Sequence, residues 1–274
     1  GDYDRSGRPH LLVGNFSNQM LGLYHNEGTG LFVDEAPTSA VGRASLLSLA
    51  FAVFFFDYDL DGRPDILAVN GHVADDIERV QPRVTYRQKP HLFRNAGQGR
   101  FDDASASAGP AFAVPVVGRG VAYLDYDGDG DLDVVMSVNN GPARLLRNDS
   151  ERAASVLRVR TIGAAANRDG IGAVVQVTAG TQKQSQLVKT GSSYLSQSEL
   201  PLTFGLGAAK GPLEVRVTWP GGAVDVVQVP AANAPYPTPH QLETASNQPQ
   251  PWATTYGEEA ARRLGVQNGR WEAF

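Results

Sequence analysis

Short apolar runs, each placed directly after an Asp-rich loop, mark the first half of the chain. LLVGN follows residues 2–10, ILAVN follows 57–65 and VVMSVN follows 125–133, so the loops begin 55 and 68 residues apart. Each unit reads as strand, Asp loop, strand, turn and strand, and four short antiparallel strands per unit is typical of a propeller blade. We therefore predict about three incomplete blades over residues 1–152.

The second half of each unit repeats as well. LGLYHNEGTGLFVDEA at 21–36 resembles HLFRNAGQGRFDDAS at 91–105, with an apolar strand, an Asn, a Gly-x-Gly turn and an aromatic residue. The third unit keeps only ARLLRND at 143–149, so the array ends there. Because the chain opens at Gly1 directly before a motif, with no strand ahead of it, we expect an N-terminally truncated fragment, in which a signal peptide is not visible.

Strict alternation of apolar and polar residues replaces the repeats from about residue 153. Leu157, Val159 and Thr161 share one face of a predicted strand, and the run 213–219 alternates in the same way. Such alternation predicts half-buried strands, here a small β-sandwich or barrel over 153–230. The tail at 231–274 is Pro-rich, and we predict it to be mostly irregular with a possible short helix at 257–264. The predicted fold class is all-β.

Composition and motifs argue against several classes of function. The chain has 274 residues, a net charge of −5, no cysteine and no basic patch interleaved with aromatics, which argues against nucleic-acid binding. No apolar run reaches the length of a membrane span. No nucleophile elbow, zinc-protease motif or phosphate loop is present, so we predict no enzymatic activity for this chain.

The loops have the form D-x-D-x-D-G-x-x-D, which supplies the oxygen ligands that Ca²⁺ takes. Carboxylates at positions 1, 3 and 5 alternate inward, Gly at position 6 turns the backbone, position 7 offers its carbonyl and Asp at position 9 closes the site. The predicted calcium ligands are Asp57, Asp59, Asp61, the Arg63 carbonyl and Asp65 in the second loop, and Asp125, Asp127, Asp129, the Asp131 carbonyl and Asp133 in the third.

The first loop departs from the pattern, because Ser6 replaces an acid and His10 replaces the closing Asp. Asp2, Asp4 and Ser6 therefore form only a weak predicted site. An EF-hand would need a Glu at position 12, where the three loops have Val13, Ala68 and Met136. The EF-hand interpretation therefore fails for all three loops.

Together, these motifs resemble two known families. DYDLDGRPDILAVNG and LFRNAGQGRFDDAS are similar to FG-GAP/VCBS repeats of integrin-type propellers, and NRDGIGA (167–173), YLSQ (194–197), FGLG (204–207) and WPGG (219–222) are similar to the ASPIC/UnbV domain. Repeats followed by that domain resemble the cartilage acidic protein family. The resemblance implies a secreted or periplasmic calcium-binding propeller and no established reaction.

The predicted function is a non-enzymatic, extracellular or periplasmic calcium-binding module for adhesion or scaffolding, with an unidentified protein or glycan partner. Alternatives are an accessory protein or enzyme of an enediyne-type biosynthetic pathway and a carbohydrate-binding exported protein. Several other residues are candidates for binding but are expected to serve turns or the core. They are His72, Asn167, Asp169, Tyr194, Ser196, Gln197 and Trp219.

Overall fold

The computed structural model describes residues 1–149, 155–163, 167–209 and 211–230, together with the backbone of 240–245. Its regular structure is almost entirely β, arranged in five small sheets of which none closes on itself. The predicted all-β class is therefore confirmed. The predicted helix at 257–264 lies outside the described residues.

Each repeat forms one antiparallel sheet. The first unit contains β1 (Leu11–Val13), β2 (Gly22–Asn26) and β3 (Phe32–Asp34); the second contains β4 (Ala50–Phe56), β5 (Asp65–Asn70), β6 (His91–Gly97) and β7 (Arg100–Asp103); and the third contains β8 (Gly118–Leu124), β9 (Asp133–Val138) and β10 (Arg144–Leu146). Within each sheet the strands pair in chain order. The second unit has the four strands that the repeat predicts, and the arrangement is consistent with propeller-like blades.

The units pack face to face. Every residue of β5 is buried, and alternate positions enter two different cores. Leu67 and Val69 pack with apolar residues of the third unit, whereas Ile66 and Ala68 pack with those of the first. Because successive side chains of a strand point to opposite faces, a central sheet with a neighbour on each side needs apolar residues at every position. The uninterrupted run ILAV follows from this position.

Short helices occupy the connections. A 3₁₀ turn at Ala36–Thr38 and α1 (Ala40–Ser45) join the first two units, and the Ser39 hydroxyl caps α1 by accepting from the Gly42 N–H. The polar insertion after β5 contains α2 (Ile77–Val80), and α3 (Pro110–Ala113) precedes β8. None of the helices in the described part of the chain is long and apolar enough to span a membrane.

The second half forms a two-sheet sandwich around one core. Its strands are β11 (Ser155–Ile162), β12 (Val174–Ala179), β13 (Gln182–Leu187), β14 (Leu202–Gly207), β15 (Leu213–Thr218), β16 (Val224–Val229) and β17 (His240–Ala245). The sheet orders are β14-β11-β17 and β13-β12-β15-β16. Trp219 lies in the shared core, 6% exposed, and its Nε1 donates to Asp225 at 2.7 Å.

Two strands of the sandwich were not predicted from the sequence. β14 carries the glycines of FGLG, which hide its strand character, and β17 lies within the tail that we predicted to be irregular. β17 runs parallel to β11, with Leu157 opposite His240 and Ile162 opposite Ala245. Pairing along a free edge is made by backbone groups, so it requires no alternation of apolar side chains.

Candidate metal centres

The second Asp loop connects β4 to β5 and curls its acidic side chains inward. Gly62 adopts a left-handed backbone with φ of 82°, a conformation that side chains disfavour. Its N–H donates to Asp57 Oδ2 at 2.8 Å, and the Arg63 N–H donates to Asp61 Oδ1 at 2.9 Å. The glycine at position 6 therefore makes the turn that the sequence assigned to it.

Asp57, Asp59 and Asp61 converge, each offering an oxygen within 4.8 Å of the others. Asp57 is 6% exposed, and its Oδ1 is buried without a hydrogen-bond partner among the described residues. Burial, with Asp61 and Asp59 close by, raises the pKa of Asp57 to about 8. A buried carboxylate oxygen without a donor, in a set made only of oxygens, fits a calcium ion.

Two arginines also contact this group of carboxylates. Arg94 Nε donates to Asp59 Oδ2 at 2.8 Å, and Arg63 Nη2 pairs with Asp61. A third guanidinium, that of Arg5, donates to the Gly62 carbonyl at 3.1 Å and to the Asp61 carbonyl at 3.2 Å. Because Asp57 Oδ1 accepts from none of the three, this buried oxygen is left without a hydrogen bond in the described residues.

The closing Asp65 has a different position from the other three acids. Its Oδ2 accepts the Tyr58 N–H at 3.1 Å, and its Oδ1 accepts the Asn95 N–H at 2.7 Å. Asp65 is fully buried, and this burial raises its pKa well above the ordinary value. Asp65 thus links the loop to β6 through a hydrogen bond, a structural role that the spacing of the motif did not reveal.

The third loop, between β8 and β9, follows the same plan. Asp125, Asp127 and Asp133 offer oxygens within 4.8 Å of one another. The Gly130 N–H donates to Asp125 Oδ2 at 3.2 Å, while Asp125 Oδ1 is buried with no hydrogen-bond partner in the described residues. Asp129 Oδ1 accepts the N–H of Asp131 at 3.0 Å. The oxygen left over at position 1 therefore recurs in both complete motifs, and Asp2 Oδ1 of the first loop is likewise buried without a partner in the described residues.

In the first loop, the imidazole ring of His10 stands where the other loops have the closing Asp. The Gly7 N–H again donates to the position-1 residue, Asp2, at 3.0 Å. His10 Nε2 lies 2.8 Å from Asp4 Oδ1, and His25 Nε2 lies 3.0 Å from Asp4 Oδ2. His10 Nδ1 accepts the Asn26 N–H at 3.0 Å, so the ring proton sits on Nε2 and points at Asp4. His10 in this tautomer has no lone pair for a metal on that side.

The electrostatics of the first loop agree with this assignment. Burial opposes ionisation of Asp4, but hydrogen bonds from Ser6, His25 and His10 outweigh it and hold the pKa of Asp4 below its usual range. The hydrogen bond to Asp4 in turn raises the pKa of His25. The weak predicted set of Asp2, Asp4 and Ser6 thus comes together around histidines that sequence reasoning did not include.

Comparison with known proteins agrees with these units. Residues 2–68 and 83–136 match the FG-GAP-like repeat family, and residues 163–243 match the ASPIC and UnbV family. The chain thus contains FG-GAP-like repeats and an ASPIC and UnbV domain. The first match contains all three Asp loops, and its gap falls on the insertion that holds α2.

Curated relatives carry the name cartilage acidic protein 1. The protein of Xenopus tropicalis is 26% identical over 251 residues, which is 74% of this chain. The human protein is 50% identical over a stretch of 54 residues, or 20% of the chain. The chain spans 38% of the length of the Xenopus relative and 8% of the human one in these matches.

The ASPIC and UnbV domain lies directly against two of the loops. The N–H of Gly207, at the end of β14, donates to the Leu60 carbonyl at 3.2 Å. A Cβ on Gly205 would lie 2.2 Å from Asp57 Oδ2, so the FGLG motif needs glycine where the strand crosses the second loop. The motif therefore marks a contact between the domain and the loop.

Arg158 of β11 reaches the third loop from the same domain. Its Nη1 lies 2.5 Å from Asp125 Oδ2, and its Nη2 pairs with Glu199. Alternation predicts the Arg158 side of the strand to face water, yet Arg158 is 7% exposed. The expectation fails because the outer face of β11 packs on the FG-GAP-like units, and a buried guanidinium there requires acidic partners.

The same asparagine hydrogen bond recurs between successive units, and the sequence analysis did not identify it. The Asn95 side chain donates to the carbonyl of Tyr3, at position 2 of the first loop, at 2.8 Å. Asn148 donates to the carbonyl of Tyr58, at position 2 of the second loop, also at 2.8 Å. The repeated Asn after an apolar strand was visible in the sequence, but its partner one unit away was not.

The remaining sequence candidates serve turns. Asn167 accepts the Ile171 N–H and donates to the Ile171 carbonyl, both at 2.8 Å, and so fixes the NRDGIGA turn next to Asp169. His72 is 5% exposed, and its Nδ1 accepts the Ala74 N–H at 3.1 Å. Tyr194, Ser196 and Gln197 lie instead at a cavity, described below.

Proposed function

We propose that the chain is a calcium-binding interaction module, with one ion in each of the loops 57–65 and 125–133. The observation that carries the proposal is the pair of buried oxygens, Asp57 Oδ1 and Asp125 Oδ1, left without a donor at the centre of converging carboxylates. Such groups are stable when a cation lies between them. When bound, calcium would supply charge compensation and rigidity rather than reaction chemistry.

The residues of the chain do the remaining work. Asp59 and Asp61, or Asp127 and Asp133, would complete the oxygen set around the position-1 acid. The glycines at position 6 hold that acid through its second oxygen. The ASPIC and UnbV domain covers both loops, so the ions would lie beside the contact between the domain and the repeats and would stiffen it.

An extracytoplasmic location follows from the proposed affinity. Sites with dissociation constants of about 10–100 μM are filled at about 1 mM free calcium, and each then contributes roughly 1.4–2.7 kcal/mol to folding stability. The same sites are nearly empty at cytosolic calcium levels. A non-enzymatic role as a rigid scaffold for a protein or glycan partner is part of the proposal, because loops on packed sheets favour binding.

Isothermal titration of the calcium-depleted chain tests the proposal. We expect two calcium ions per chain, with weaker binding of magnesium, which prefers to keep its waters. Asp57→Asn and Asp125→Asn should each remove one ion, whereas Asp75→Asn, at an exposed position in the insertion, should remove none. Wild-type protein that binds no calcium at millimolar concentration would overturn the assignment.

A further inference from the structure

A cavity of about 330 Å³ lies between the third FG-GAP-like unit and the segment 194–197 of the ASPIC and UnbV domain. Its wall is mainly apolar, and one residue in it carries a permanent charge. The lining includes Arg119, Ala122, Val135, Ser137, Tyr194 and Leu195. The cavity contains none of the residues of the calcium loops.

Arg119 is held rigidly. Its guanidinium carbon lies 4.0 Å from the centre of the Phe51 ring, a cation–π contact. Nη1 donates to the carbonyls of Gly71 at 3.0 Å and Gly118 at 2.8 Å, and Nη2 donates to the carbonyl of His72 at 3.1 Å. One edge of the guanidinium is thereby fixed to the backbone by neutral acceptors.

The opposite edge of the guanidinium carries Nε–H and the second Nη2 hydrogen. In the described residues neither hydrogen has an acceptor, and no carboxylate forms an ion pair with Arg119. Burial lowers the pKa of Arg119, and the nearby Tyr86 and Tyr194 only partly oppose this shift. A planar pair of donors in this state is suited to a planar anion.

The other wall of the cavity is a turn whose strained backbone is held by hydrogen bonds. Ser193 and Leu195 both have left-handed backbones, with φ of 66° and 46°. Ser192 and Ser198 close the turn through their hydroxyls at 2.8 Å, so the strain is held in place. The turn leaves Leu195 88% exposed at the cavity, and retained strain beside an exposed apolar side chain is typical of binding sites.

We propose that this cavity binds an organic carboxylate, with its two oxygens on the open edge of Arg119 and its hydrocarbon part against Ala122, Val135 and Leu195. A single guanidinium among apolar walls favours a monoanion over a phosphate, which needs more donors. The proposal is independent of the calcium sites. A free small acid and the carboxyl terminus of a peptide share this chemistry, and the experiment separates them.

The probe is 4-fluorobenzoate, observed by ¹⁹F NMR on the 274-residue chain with saturating calcium. We expect a saturable interaction in which the neutral isostere 4-fluorobenzamide binds about tenfold more weakly, because it cannot form the charged pair. Arg119→Met, which removes the guanidinium and keeps an unbranched side chain, should lose this preference for the acid. Equal binding of the acid and the amide to the wild-type protein would overturn the proposal.

A second variant protects the test against misfolding of Arg119→Met. Val135→Phe adds volume to the cavity wall from a strand position that is 36% exposed, leaves Arg119 intact and should weaken 4-fluorobenzoate about fivefold or more. Unchanged affinity in this variant would place the acid elsewhere and contradict the proposal. Ser137 is not a suitable position for this variant, because its hydroxyl accepts the Gly120 N–H.

Two peptides identify the source of the carboxylate. Acetyl-Ala-Ala-Phe with a free carboxyl terminus is compared with its amidated form under the same conditions. Preference for the free peptide over 4-fluorobenzoate supports a protein terminus as the natural ligand, whereas binding of the small acid alone supports a metabolite. Inorganic phosphate that displaces 4-fluorobenzoate at equal concentration would contradict a site selective for carboxylates.

Discussion

The first and second Asp loops have the same backbone plan but balance their acids differently. In both, a left-handed glycine at position 6 donates to the acid at position 1. At position 9, the ring of His10 accepts from a backbone N–H through Nδ1 just as Asp65 does through Oδ1. His10 then directs a donor at Asp4, whereas Asp65 adds another acid.

The difference lies at positions 3 and 9, because the position-1 oxygens Asp2 Oδ1 and Asp57 Oδ1 are both buried without a hydrogen-bond partner among the described residues. In the first loop, the imidazoles of His10 and His25 donate to the acid at position 3, so a cation there would compete with two N–H donors. In the second loop, the closing residue is an acid, and three carboxylates converge. Comparing the loops therefore predicts which of them responds to calcium.

Removal of calcium gives the largest expected effect. Two filled sites of roughly 1.4–2.7 kcal/mol each should raise the unfolding midpoint by about 5–15 °C over calcium-depleted protein. Differential scanning calorimetry with 1 mM calcium chloride (about the extracellular level) and with chelator measures the shift. An unchanged midpoint would mean that the second and third loops are stable without a bound cation.

Arg158→Met tests whether the ASPIC and UnbV domain supplies a charge to the third loop. In calcium-depleted protein, loss of the guanidinium leaves Asp125 and Glu199 buried together, which should cost about 1–3 kcal/mol. With calcium bound, the penalty should be smaller, and affinity at the third loop should rise because a competing cation is gone. Equal destabilisation with and without calcium would separate the arginine from the metal site. Arg216→Met, an exposed pair with Glu214, is the matched control.

Ser6→Asp combined with His10→Asp should convert the first loop to the pattern of the second. We expect the calcium stoichiometry to rise by one per chain, with a gain of about 1 kcal/mol when calcium is saturating. Titration calorimetry on the double variant and on His10→Asn, which adds no acid, measures the change. An unaltered stoichiometry in the double variant would show that His25 alone keeps a cation out.

The pH dependence of the calcium-depleted chain tests the protonation of the second loop. Burial raises the folded-state pKa of Asp57 to about 8 and that of Asp65 well above its unfolded value of about 4. Protonation therefore favours the folded state, and this contribution to stability is lost as pH rises from about 5 to about 8. The midpoint should fall over that range without calcium and hold steady with it. A midpoint that rises in calcium-depleted protein would contradict the assignment.

The sequence predicted the repeats, the loop glycines and part of the convergence of the acids, because these depend on local spacing. Three of the four predicted aspartates converge in each complete loop, without Asp65 in the second and without Asp129 in the third. It did not predict that Arg158 is buried, that His25 joins the first loop, or that Gly205 crosses the second, since each depends on a contact between distant segments. The strand at 240–245 was missed for a similar reason. Its pairing uses backbone groups along a free strand edge, which leave no side-chain pattern.

The asparagine hydrogen bonds between units have a consequence for the evolution of such repeat arrays. Asn95 and Asn148 each donate to a carbonyl at the same place in the preceding repeat. The length of chain between them does not enter the contact, so segments can be gained or shortened elsewhere in a repeat without loss of alignment. A new unit inserted into the array would join its neighbours by supplying one amide and one tyrosine carbonyl.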